Sequence, residues 1–122
     1  MSKADFLKDN LREGEQYAGI QLGVNVEPDH HIFLMPHKFT GTWAKAVAHA
    51  KDIAGSLPTR REMRILFANA KQYFEGDWHW TDEQHAVISD YAWVQVFGVG
   101  FQFSGIKSDS RLARFVRRLV IL

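Results

Sequence analysis

The chain contains no cysteine, which excludes disulfides, thiol nucleophiles and thiolate metal sites. An excess of charge of one sign is also missing. Lys and Arg number 15 against 14 Asp and Glu, for a net charge of +1. A balance this even supplies no global field toward nucleic acid or an anionic membrane. No apolar run approaches the roughly 18 residues a spanning helix needs. The first sixteen residues, MSKADFLKDNLREGEQ, are polar and hold no signal-like apolar core. What remains is an ordinary globular composition, with 46% hydrophobic residues over 122 positions. That is enough for a single domain, 1–122, built around one core.

Periodicity organises the chain. Residues 3–12 are expected to form a short helix with Phe6, Leu7 and Leu11 inward, inside an N-terminal extension covering 1–13. QYAGIQL (16–22) and HIFLM (31–35) read as an antiparallel pair joined through GVNVEPDH, with a new unit starting after Pro36. Thr42 is placed to cap a helix over WAKAVAHAKDIA, whose apolar face is Trp43, Val47, Ala50 and Ala54, and Gly55 to stop it. In SLPTRREM, Thr59 with Glu62 three residues on spells a capping box. The helix it opens runs to Phe74 with Met63, Leu66, Phe67, Ala70 and Phe74 as its buried stripe. From residue 77 the period changes to two. Trp78-His79-Trp80, YAWVQVF (91–97), FQFSGI (101–106) and 112–120 read as strands, with Gly98-Val99-Gly100 as a turn. Strands, two helices and further strands define an α+β domain with an antiparallel β core.

The residues that could carry chemistry form no catalytic pattern. His30 and His31 are adjacent, so on a strand they face opposite ways. His37 and His49 have no carboxylate at a ligand spacing, and His79 and His85 with Asp77 or Asp82 make only a weak facial set. No serine stands in a nucleophile elbow. Asp77, Asp82 and Glu83 read as a solvated loop. A non-enzymatic protein without metal or cofactor is therefore expected. Arg60, Arg61 and Arg64 crowd the start of the second helix, where the dipole disfavours them. They either pair with acids such as Glu62 and Asp52 or serve a partner. Arg111, Arg114, Arg117 and Arg118 crowd the last strand. They are candidates for phosphate binding or, for a buried arginine, for pairing with Asp90 or Glu75.

Aromatics are the more pointed signal. Four tryptophans sit in this small chain, and Phe101 and Phe103 flank the GVG turn. Rings exposed at a hairpin rim, with Gln95 and Gln102, suit a sugar ring or a protein epitope. The candidate ligand-binding residues are Trp78, Trp80, Gln95, Phe101, Phe103, Arg111 and Arg114.

LPTRREMRILFANAK, WHWTDEQ, YAWVQVFGVGFQF and ARFVRR, in that order, resemble the C-terminal domain family of the Legionella collagen-like adhesin over roughly residues 14–119. The single-domain members in phages and prophages are the most similar, since no collagen-like stalk is present. The resemblance implies a C-type-lectin-like fold. It also implies a framework marked by Leu57-Pro58-Thr59-Arg60, Trp78, Trp80 and Trp93, and a binding region in the hairpin 94–105. The adhesin member binds sulfated glycosaminoglycans, but this chain lacks its charge. It also lacks a lectin calcium motif: Glu27-Pro28-Asp29 is close in letters but lies in the first hairpin.

Two functions follow as expectations. One is a phage or prophage binding module that recognises a glycan or cell-surface protein through the aromatic hairpin. The other is an intracellular phage accessory protein that binds a host protein or small nucleotide to inhibit a defence system, which a deep pocket lined by Arg111, Arg114 or Arg118 would favour. The expected location is host cytoplasm or virion. The uncharged ending LVIL (119–122) adds an expectation of self-assembly, with a trimer considered.

Overall fold

Period-two segments become strands and the capped segments become helices. The order is α1 (Lys3–Asn10), β1 (Gln16–Gln21), β2 (His30–Gly41), α2 (Trp43–Asp52), α3 (Arg60–Ala70), β3 (Trp78–Gln84), β4 (Tyr91–Val96), β5 (Gln102–Ile106) and β6 (Arg111–Val120). A single 3-10 turn, Lys71–Tyr73, follows α3. The computed structural model describes all 122 residues. All six strands join one sheet in the order β1-β2-β6-β3-β4-β5. Neighbours are antiparallel except β6 and β3, which are parallel and meet at His79 and Leu112. Where these two diverge, the α2–α3 linker fills the gap. Ser56 exchanges two backbone hydrogen bonds with Val116 (3.0 and 2.8 Å), and the Asp82 N–H donates to the Pro58 carbonyl (2.9 Å).

The helix starts follow the sequence signals. The Thr42 hydroxyl accepts from the Lys45 N–H at the start of α2. At α3 the full capping box forms: the Glu62 N–H donates to the Thr59 hydroxyl (3.1 Å) and the Thr59 N–H donates to the Glu62 carboxylate (2.9 Å). The helix ends are less regular. Ala54, not Gly55, takes the left-handed conformation after α2 (φ 55°). α3 ends at Ala70 instead of Phe74, because Phe74 leaves the helix to stack on Phe97 at 3.8 Å.

β2 also departs from expectation. It does not stop before Pro36 but continues to Gly41. Proline has no N–H for the ladder, so the strand accommodates it with a bulge. The register passes from Leu34↔Val116 directly to Lys38↔Arg114, which leaves residues 35–37 opposite Phe115.

Each face of the sheet carries a helix. On one face, α2 packs Ala46 and Ala50 against Met35, Trp80, Ala92, Val94, Ala113 and Phe115. On the other, α3 packs Met63, Leu66 and Ala70 against Ala18, Ile32, Leu34, Phe97 and Val116. Full burial of a side chain the size of Phe115 contributes about 1.5–3 kcal/mol. β4, double-sided in sequence, lies between β3 and β5 with Ala92, Val94, Gln95 and Val96 buried. α1 is the least embedded element: Phe6 and Leu7 are half-buried and Leu11 is exposed. No helix is long and apolar enough to cross a membrane.

Candidate functional site

The β4–β5 hairpin places an aromatic ladder at the edge of the sheet. Its turn is fixed by Gly100, whose φ of 81° suits glycine and whose missing Cβ makes room for the Phe67 ring. Phe101 and Phe103 follow on the same side of the chain, 64% and 44% exposed. Their rings meet edge to face (6.3 Å, 88°). Phe103 in turn stacks on Trp78 (5.7 Å, 19°), and the Arg111 guanidinium lies 4.2 Å above the Trp78 ring. Arg111 can lie flat there because Gly105 has no side chain: a Cβ at that position would sit 3.1 Å from Arg111 Nε. The outer end of Arg111 donates to Asp109 (3.1 Å), while its Nε is buried without a partner. Beside the ladder is a shallow cavity of about 170 Å³, where Thr40, Asp77 and Ser110 adjoin Trp78 and Arg111. Three rings and a guanidinium beside hydroxyls and a carboxylate can stack on a flat apolar face and hydrogen-bond its polar edge.

Trp78, Phe101, Phe103 and Arg111 are thus brought together. Trp80, Gln95 and Arg114, expected at the same surface, are interior, and that expectation is corrected. Trp80 is fully buried under α2, with its indole N–H donating to the Gly41 carbonyl (3.0 Å). Gln95 is fully buried in the sheet centre, with neither side-chain polar atom bonded. Alternation places these residues on a face but does not tell which part of that face a helix covers. Gln102 is engaged with α3: its side chain accepts from Arg60 Nε (2.9 Å) and donates to the Arg60 carbonyl (2.8 Å).

The arginines of β6 resolve differently from the pairing with Asp90 or Glu75. Arg117 forks onto Glu15 (2.8 and 2.8 Å) and covers the Phe33 ring. Arg118 forks onto Glu62 (2.8 and 2.7 Å). Burial alone would raise both carboxyls. The arginine hydrogen bonds and charges outweigh it and hold Glu15 and Glu62 below the ordinary carboxylate value. Arg114 has no carboxylate partner; it donates to the Tyr73 and Met35 carbonyls. At the start of α3, Arg60 stacks on Trp93 (3.6 Å) and Arg61 donates to the Leu22 carbonyl (3.0 Å). Neither they nor Arg64 pair with Glu62 or Asp52; the three rim an open cavity of about 580 Å³ with Thr59 and Glu83.

His79 is buried and His85 stacks on Trp93, and no three His, Asp or Glu side chains are grouped to hold a metal ion. No protein-family model matches the chain, and no curated protein matches it.

Proposed function

We propose that the protein is a non-enzymatic binding module of C-type-lectin-like architecture, carried by a phage or prophage, that holds a glycan or cell-surface protein against the β4–β5 hairpin. The observation that carries this reading is the ladder Phe101–Phe103–Trp78–Arg111, with both phenylalanines exposed and Trp78 and Arg111 half-buried behind them. Preformed aromatic surface on a stable scaffold is how recognition is usually presented. The polar cavity beside Trp78 favours a sugar, whose ring has an apolar face and a hydroxylated rim. Two helices packed on an antiparallel core support the lectin-like architecture, and the phage setting rests on the family resemblance. A glycan array run beside a pull-down from host envelope and cytosolic fractions tests the proposal. Retention of a defined set of glycans or an envelope protein is the expected result. Selective capture of a cytosolic protein or a nucleotide would replace it with the intracellular reading.

Self-association belongs to the same proposal. Val120 and Leu122 are exposed at the end of β6, and Ile20 and Leu22 at the end of β1, with β2 between the two strands. Apolar surface of this kind invites a second copy. Light scattering is expected to show an oligomer, with a trimer considered; a monomer at tens of micromolar would remove this part.

A further inference from the structure

Arg114 is a cation in the interior with no carboxylate in hydrogen-bond reach; Glu75, across the same cavity, is the one acid that acts on it, and only through space. Arg114 is 7% exposed, its Nε is buried and unpartnered, and its other nitrogens meet only the Tyr73 and Met35 carbonyls. The other three arginines of β6 all meet carboxylates. A buried charge left with neutral partners is costly unless an anion completes it.

Its surroundings supply room for one. Directly opposed residues share a face of a sheet, so Lys38 lies beside Arg114, and Thr40, Leu112 and His79 form the next row. α3 covers this face only as far as Ala70. Beyond it a cavity of about 240 Å³ remains, bounded by Lys38, Thr40, Glu75, His79, Leu112 and Arg114. An apolar cavity of about 150 Å³ already accepts a benzene ring. Apart from Glu75, on the connection between the 3-10 turn and β3, the walls are strand residues and so are held in place without a ligand.

The chemistry of the walls is mixed in an informative way. Lys38 and Arg114 offer positive charge. His79 donates from Nδ1 to the Asp77 carbonyl (2.9 Å), so its Nε2, bonded to no protein group, is an acceptor. Burial lowers the His79 pKa and keeps that acceptor unprotonated at neutral pH. Glu75 is a second acceptor and opposes polyanions. A fitting ligand needs one negative group for the cations and hydrogen-bond donors for the two acceptors. We propose that this cavity binds a small hydroxylated carboxylate, its carboxyl toward Arg114 and Lys38 and its hydroxyls toward His79 and Glu75. The site adjoins the cavity beside Trp78, with Thr40 and Leu112 common to both, but includes neither Phe101 nor Phe103.

Amide NMR titration with D-gluconate tests it, with propionate, D-glucose and inorganic phosphate as comparison probes. Gluconate is expected to move the amides of residues 38–40, 75–79 and 112–114, saturating in the millimolar range, more tightly than any comparison probe. Lys38→Ala and Thr40→Val, both at exposed positions, are expected to weaken gluconate by roughly threefold to tenfold while leaving the thermal midpoint in place. Arg114→Gln is expected to abolish saturation; should that variant unfold, the other two carry the test. The Phe101→Ala/Phe103→Ala variant is expected to keep the gluconate response, which separates this site from the hairpin. Scattered or unsaturable shifts, propionate acting as well as gluconate, or phosphate binding more tightly than gluconate would overturn the proposal.

Discussion

Arg118 on the last strand and Glu62 in the first turn of α3 form a two-pronged ion pair, Nε to Oε2 at 2.8 Å and Nη2 to Oε1 at 2.7 Å. Glu62 is fully buried and holds two further donors: the Thr59 N–H (2.9 Å) and His30 Nε2 (2.8 Å). One carboxylate therefore caps a helix and ties it to β2 and β6. Glu62→Gln is expected to cost about 2–3 kcal/mol, below the range for fully buried pairs because the Arg118 side chain is 31% exposed. Thr59→Ala removes only the cap and is expected to cost about 1 kcal/mol. Urea unfolding separates the two; equal losses would show that the ion pair adds nothing beyond the cap.

Much of this was legible in the sequence, and Glu62 shows where legibility stopped. Thr59 and Glu62 are three residues apart, so the capping box is local and can be read. Arg118 is 56 residues away, and nothing in the pattern says which acid it meets. The same boundary runs through the candidate site. Alternation puts Phe101, just before β5, and Phe103 within it on one side of the chain, and both are exposed. It could not show that α2 covers Trp80 while Trp78, two residues earlier, reaches the rim. The bulge at Pro36 is not legible because a proline reads as a strand end, whereas here β1 pairs only as far as Leu34 and the backbone detours and resumes its ladder with β6 at Lys38.

The end of α2 offers a stabilising change. Ala54 and Gly55 close the helix with bonds to the Lys51 (3.1 Å) and Ala50 (2.9 Å) carbonyls, and Ala54 carries the left-handed φ. Alanine there costs about 1 kcal/mol relative to glycine. Ala54→Gly is thus expected to raise the thermal midpoint. Gly55→Ala is expected to lower it, since a Cβ at 55 would sit 2.5 Å from Met35 Sδ. Reversal of the two effects would contradict this cap geometry.

Acid is expected to weaken the fold in two stages. Burial lowers the pKa of His79 and of His31 from the ordinary 6.5. The unfolded chain then binds protons that the folded chain refuses, so this stability is complete above about pH 6.5 and declines as pH falls below it. Glu15 and Glu62, lowered from 4.5, add a second decline at more acidic pH. Asp82, raised by burial, acts in the opposite direction. His79→Asn keeps a donor for the Asp77 carbonyl and removes one titration. Its unfolding free energy is expected to vary less than the wild type's between about pH 7 and pH 5. An unchanged slope would assign the first stage elsewhere.

The central claim is that the hairpin ladder is the ligand surface. The most direct measurement compares wild type and the Phe101→Ala/Phe103→Ala variant on the same glycan and envelope-protein arrays, after thermal unfolding has shown that the variant is folded. Both rings are substantially exposed, so the variant should retain its core. The account predicts that ligands retained by the wild type lose at least about tenfold in affinity when both rings are removed. Undiminished retention by a folded variant would contradict it.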